Sequence, residues 1–376
     1  MRSIAFRNGD MQADAASPSW ILVYATVDQR YGDAVQTIAR RYPNVPIFGA
    51  TSFQGVMHEG GFSRGVFALA GESGDGVRAA HVIKRAAGRK ARNDAKAAAL
   101  EIIERLGTRP DALLLHATPG FEERLLEGVT DAFDGKAPPL YGGSAADDDL
   151  SGNWRIFTES AVEEEGFLLV GFSSKKPVHG SFVAGYNPGT KRGKVTAAHD
   201  RVIRSIDGRP AARVYNEWLD GALDDVLEIG GNVLSRTSLH PLGHVVDRVG
   251  AVPRYLLSHP HAIGRDGSLS LFTDVHVGDE IVLMVGSADA LVDRTDQVAA
   301  RAARGAGPLR GGILVYCAGC VGTIGERATD VAQRFHDRIG RVPFLGIATF
   351  GEQGCYVGTP SQNRHGNLMC DAILFE

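Results

Sequence analysis

Cysteine is scarce in this chain: four in 376 residues, at positions 317, 320, 355 and 370, all toward the C-terminal end. A disulfide framework is therefore excluded as the organising device, and in a cytosolic setting the thiols are expected to be reduced. Cys317 and Cys320 have the two-residue spacing of a metal or redox pair, but Cys355 and Cys370 form no second pair, so the spacing falls short of a four-thiolate zinc site. Long apolar runs are missing as well. No stretch reaches the roughly 20 apolar residues that a bilayer demands, and the opening MRSIAFRNGDMQADAASPS is too polar for a secretory signal. A cytoplasmic protein without a membrane partner is the expectation. The net charge is only -4 and the Lys and Arg residues are scattered, which leaves no footprint for a phosphate backbone, so nucleic acid is not expected as a partner. Catalytic signatures are absent too: there is no G-x-S-x-G, H-E-x-x-H, G-x-x-x-x-G-K or strand-linked G-x-G-x-x-G. The histidines form no helical metal pair, since HPLGH (240–244) is broken by Pro241 and Gly243 and HPH (259–261) is extended. Nothing in their spacing singles out a haem ligand.

What the chain does have is repetition. ILVYATVDQRYGDAVQTIARRYPNVPIFGATSFQG (21–55) matches ILVYCAGCVGTIGERATDVAQRFHDRIGRVPFLGIATFGEQG (313–354). Both read as an apolar strand ending in Tyr (Tyr24, Tyr316), a loop, an amphipathic helix, then Val-Pro, apolar residues and Gly. A looser third copy lies between them, with Leu113, Leu114 and Leu115 as the strand, FEERLLEGVTDAF as the helix and PPLYGGSAADDD (138–149) as the turn. Repetition on this scale indicates one structural unit used several times. With 44% hydrophobic and 22% charged residues, the expected fold class is α/β (α+β): two α/β domains with mixed sheets, built from strand-helix-Pro-Gly units.

Residues 1–19 lack clear periodicity and are read as a leader. A first domain over 20–174 contains the buried strand GVFALAG (65–71), the helix ARNDAKAAALEIIERLG (91–107) ending in Gly, and a strand pair in WRIFTES and EEGFLLVGFSS. Periodicity lapses across 175–181, where SSKKPVHGS clusters Lys, Pro and Gly, and a linker is placed there. The second domain, 182–376, opens with a strand, an Asp-Gly turn and a helix started by Pro210. An antiparallel meander follows in YLLSHPHAIGRDGSLSLFTDVHVGDEIVLMVGS, then a helix in RTDQVAARAARGAG and a closing strand in LMCDAILFE.

Ligands of α/β layers lie beyond the carboxyl ends of strands, where loops and helix N-termini offer backbone N-H groups. The small polar residues of the repeats collect there: Thr51 and Ser52; Gly142, Gly143 and Ser144 with Asp147 and Asp148; Cys317, Ala318 and Gly319; Thr349, Gly351 and Glu352. Glycine lets backbone approach a ligand, although tight turns and close packing use it equally. The Asp147–Asp149 run could hold an ammonium group or cap a helix. Glu352, between Gly351 and Gln353 at a strand end, is less easily explained by solubility. His365 and Asn367 in NRHGN are near enough to the last strand to reach the same pocket.

In order, GATSFQG, GVFALAG, PLYGGSAADDD, VIRSIDGRPAARVYNEWL, LVYCAGC, VPFLGIATFGEQG and RHGN resemble FIST proteins over roughly residues 20–376, spanning FIST N and FIST C. The resemblance implies a sensory module for small ligands, with amino acids as the proposed class. It also implies haem-binding sensing of nitric oxide as an alternative, since some bacterial members do this. Carried over, the Gly-Gly-x-Ala-x-Asp segment falls on Gly142, Gly143, Ala145 and Asp147, and Asp-Gly-x-Pro-Ala falls on Asp207, Gly208, Pro210 and Ala211. Cys-x-Gly falls on Cys317 and Gly319, and Gly-Glu on Gly351 and Glu352. One departure is Cys320, where many members have Arg; another is the lack of an attached output module, so that signalling is expected through a separate partner protein or not at all. The leading expectation is a non-enzymatic protein that binds a small polar metabolite without a cofactor. The alternatives are a haem sensor and an enzyme with Cys317 as nucleophile.

Overall fold

The computed structural model describes residues 1–376 apart from 8, 9, 13, 87, 357, 360 and 361, and three sheets within it share one arrangement. Each is centred on two parallel strands: Pro18–Ala25 with Ile47–Thr51, Ala112–Ala117 with Leu140–Gly143, and Gly311–Cys317 with Phe344–Thr349. Helices make the crossovers, Tyr31–Arg41 in the first, Glu122–Ala132 in the second, and Ala318–Ile324 with Ala328–Arg338 in the third. An antiparallel strand then returns beside the first of each pair: Val66–Glu72, Gly166–Ser174 and Met369–Phe375. The chain is thus α/β with mixed sheets.

The far edge of each sheet comes from elsewhere in the chain. The hairpin Val56–His58 and Gly61–Ser63, which follows the first parallel pair, adds to the third sheet. Ile156–Thr158, after the second pair, adds to the first sheet, and Glu352–Cys355, after the third, adds to the second. The exchange is cyclic.

Alternation along the strands explains how the layers pack. Ile21, Val23 and Ala25 face the helix side, while Trp20, Leu22 and Tyr24 enter a cluster that also takes Leu114, Phe172, Ile313, Val315 and Phe375 from the other sheets. Trp20, Phe172 and Phe375, one from each sheet, meet with ring centroids 5.2–5.9 Å apart. Helices cover the outer faces.

Between Val178–Ala184 and the helix Ala288–Ala302 the chain builds a nine-stranded antiparallel sheet, starting at Asn187–His199 and ending at Glu280–Val285. Its core holds Val195, Ile203, Tyr215, Leu269 and Ile281. Local signals act here as the residues indicate. Pro210 immediately precedes the helix Ala211–Trp218, Ser287 Oγ accepts the Ala290 N-H at the start of Ala288–Ala302, and Gly107 closes Ala91–Leu106 at φ +68°.

Four features differ from the sequence reading. Arg2–Arg7, inside the expected leader, is a strand paired with Val66–Glu72, and Ile4 is buried; positions 8, 9 and 13 of that stretch lie outside the described residues. The expected linker, 175–181, already contains the start of the strand Val178–Ala184, an edge of the third sheet. Ile156–Thr158 and Gly166–Ser174 are both strands, but they lie in different sheets because the former belongs to an exchanged hairpin. Tyr24 and Tyr316 both end strands yet face opposite ways: Tyr24 enters the axial cluster, whereas the Tyr316 hydroxyl donates to Leu291 O on the covering helix. A slip of one residue is sufficient to reverse a strand's faces. Among the described residues no helix is long and apolar enough to cross a membrane.

Candidate functional site

The strand ends singled out in the sequence do converge. Phe53 N-H donates to Ala348 O, Ala146 N-H to Thr51 O, Ser144 N-H to Gly351 O and Phe350 N-H to Ser144 O. Ser52 Oγ accepts from Ala348 N and donates to Gly55 O. These bonds close the junction. Thr51, Ser52, Ser144, Asp147, Thr349 and Glu352 are all fully buried there, so the ends form a backbone knot instead of the shared hollow the sequence pointed to. The glycines serve that closeness: a Cβ on Gly142 would lie 1.9 Å from Leu115 O, and one on Gly143 2.5 Å from the Thr349 side chain. Asp147 ties down the loop behind the knot by accepting from the N-H groups of Leu150, Gly152 and Asn153. Asp148 accepts from Gln54 N and pairs with Arg64 on the wall of a separate groove.

A cleft of about 920 Å³ opens beside the knot. One wall is the helix Glu122–Ala132, another the strands Leu242–Val249 and Val252–Ser258 of the large antiparallel sheet, and a third Asn363–Gly366, the strand that carries His365. Behind its lining is an ion network that reaches the cleft through Glu123 and Asp274. Arg201 donates to Glu122 at 2.7 Å and Glu123 at 2.6 Å and lies 3.3 Å from Asp274. Ser144 Oγ donates to Glu122 Oε1 at 2.8 Å. Burial raises the Glu122 carboxyl, but the charges of His365 and Arg201 and the hydrogen bonds from Arg201 outweigh it and hold the group at about 2. His365 is buried; its Nδ1 lies 3.2 Å from Gln353 Nε2, its Nε2 has no partner, and it offers a ring nitrogen within 4.8 Å of carboxylate oxygens of Glu122 and Glu123. These three residues could ligate a metal ion, but the Arg201 guanidinium already balances both carboxylates. Asn367 stands behind the wall, its Oδ1 accepting from His259 N.

A third cluster is buried, with Cys317 4% exposed. Cys317 closes the strand Gly311–Cys317 and Cys320 sits one turn on in Ala318–Ile324, with Gly319 between them. Arg294, Glu352, Cys370 and Asp371 are buried near them. Burial pushes the Glu352 carboxyl up to about 8, and Thr349 Oγ1 and Met369 N donate to its oxygens. Burial likewise raises the Cys317 thiol well above its ordinary value.

Of the fourteen residues expected at a site, the structure joins His365 to the cleft and places Thr51, Ser52, Gly142, Gly143, Ser144, Thr349 and Gly351 in the knot, with Ser144 also bonded to Glu122. Cys317, Gly319 and Glu352 belong to the third cluster. Glu122, Glu123, Arg201, Arg248 and Arg364 were not legible as site residues. Acidic residues opening a helix are adequately explained by its dipole, and single arginines carry no spacing signal.

The family models described as FIST N domain and FIST C domain match residues 19–209 and 211–355. No curated protein matches the chain. Among solved structures, PurL from T. maritima complexed with ATP matches at 14% identity, covering 80% of this chain and 72% of that one, with a TM-score of 0.22. PurLQS from Thermotoga maritima matches at 14% identity, covering 86% and 74%, also with a TM-score of 0.22.

Proposed function

This chain belongs to the FIST family, whose domains are sensory and signal-transduction domains, and we propose that it is a non-enzymatic receptor for a small zwitterionic metabolite of the amino-acid type, held in the cleft at the Arg201 network. The observation that carries this reading is the charge on the cleft lining. Among the described residues, Arg248 and Arg364 line it with no carboxylate within 4 Å, the one that feels the Arg364 charge, Asp247, being paired with Arg254, and Glu280 lines it with no cation within 4 Å. A ligand carrying one carboxylate and one ammonium group satisfies both kinds, and a guanidinium fork suits a carboxylate. The lining also includes Glu123, Glu127, Asp131, Asp274 and Asp279. Such a surface does not offer the apolar slot a porphyrin needs, which favours the polar metabolite over haem. The raised Cys317 thiol disfavours the alternative in which Cys317 attacks a substrate, since a primary nucleophile is helped by the opposite shift.

Calorimetric titration of the full chain with the twenty amino acids tests the proposal. Binding of at least one is expected, weakened about tenfold or more in Arg364→Glu with the circular dichroism spectrum unchanged. Folded protein giving no heat with any of them, or equal affinity in the variant, contradicts it.

A further inference from the structure

A cation in a dry interior is stable only beside negative charge, because an unpaired buried ion costs several kcal/mol. Arg294, on the helix Ala288–Ala302, is fully buried. Its Nη1 donates to Leu368 O at 2.5 Å and its Cζ lies 4.3 Å from the centroid of the Tyr316 ring, while Nε and Nη2 have no hydrogen-bond acceptor. Among the described residues it forms no ion pair with a carboxylate. The two carboxyls of the same interior do not pair with it: burial pushes Glu352 to about 8 and Asp371 well above its ordinary value, which favours the uncharged form of each.

Cys320 is the group that remains, and it leads the neighbours whose negative charge favours the Arg294 cation. Its sulfur lies 3.7 Å from the Tyr186 hydroxyl, and Cys317 precedes it by three residues at the junction of the strand Gly311–Cys317 and the helix Ala318–Ile324. The strand end and the first helical turn thus bring the two cysteines onto one corner of the fold. Burial raises the Cys320 thiol, but the Cys317 hydrogen bond and the Arg294 charge outweigh it and bring it to about 6.

We propose that Cys317 and Cys320 form a redox-active dithiol, balanced by Arg294, that a small hydroperoxide converts to an intramolecular disulfide. The Cys320 thiolate attacks one peroxide oxygen and the O-O bond breaks, giving Cys320 sulfenic acid and hydroxide or alkoxide. The Cys317 sulfur then attacks the sulfenic sulfur; the S-S bond forms, and the hydroxyl leaves as water with the Cys317 proton. Two electrons pass from the sulfur pair to the peroxide. The class of oxidant follows from access. Cys317 is 4% exposed and Cys320 not at all, so a water-sized peroxide can arrive where a bulky disulfide such as oxidised glutathione cannot. Cys355 and Cys370 are buried without such an arrangement, and burial raises both of their thiols.

Mass mapping tests this on the intact protein. Trypsin releases residues 311–327 with Cys317 and Cys320 as their only cysteines, while Cys355 and Cys370 fall in two other peptides. After brief hydrogen peroxide treatment of folded protein, then unfolding and alkylation, peptide 311–327 should lack two hydrogens and resist alkylation until reduced. Cys355 and Cys370 should alkylate fully. Cys317→Ser should leave a sulfenic acid on Cys320 that dimedone captures. Arg294→Met, if folded, should react at least about tenfold more slowly at neutral pH. Full alkylation of both cysteines in 311–327 after peroxide, with the protein still folded, overturns the proposal whatever the variants do.

Discussion

Glu352 shows how burial, more than sequence, decides a residue's chemistry. Its oxygens receive hydrogen bonds from Thr349 and Met369, yet loss of water dominates and raises its carboxyl to about 8. A carboxyl whose folded value exceeds its unfolded one stabilises the fold fully below the unfolded value, and the contribution is lost as pH rises through the folded value. The window here runs from the ordinary 4.5 to about 8. Glu352→Gln, which mimics the protonated form, should therefore match the natural protein at pH 4 in urea denaturation. At pH 8 it should be more stable by on the order of 2–4 kcal/mol. Equal differences at the two pH values would mean that Glu352 is ionised in the fold. The Gly-Glu pair marked this position in the sequence, but its raised carboxyl follows from burial, with the charge of Cys320 adding to it and that of Arg294 opposing it, none of which the local sequence shows.

At the scale of elements, the exchanged hairpins explain both what the sequence conveyed and where it misled. Strand and helix existence follow from alternation and from Gly and Pro punctuation, so Val66–Glu72, Ala91–Leu106 and Ala211–Trp218 were legible. Pairing was not, because a short strand such as Ile156–Thr158 carries no mark of the sheet it joins. The glycine-rich ends were read as ligand contacts when backbone contacts explain them. Gly142, at φ +146° with Leu115 O in the space of a Cβ, gives the sharpest test. Gly142→Ala should destabilise by about 3 kcal/mol or more in chemical denaturation, from overpacking together with backbone strain. Gly32→Ala, in the helix Tyr31–Arg41 with open space around it, should be neutral or stabilising by up to about 1 kcal/mol. A mild effect at Gly142 would mean the knot is looser than its hydrogen bonds indicate.

Across the whole molecule, two α/β domains were expected to meet at a linker, and the exchange of strands instead stitches the N- and C-terminal parts into shared sheets. Glu352–Cys355 extends the second sheet and Val56–His58 the third. The large antiparallel sheet stands outside this exchange and leans over the helix Glu122–Ala132, with Arg201 as the tie between them. The cleft is the product of that meeting. Its residues are spread from Arg92 to His365, so no local motif could announce it. Hydrogen–deuterium exchange with and without a bound amino acid tests the account most directly. It should show added protection in 122–132, 242–258 and 363–366, and no change at 51–53, 144–146 and 349–351, which exchange slowly from the start. Protection confined to those strand ends, with the cleft segments unaltered, would contradict it.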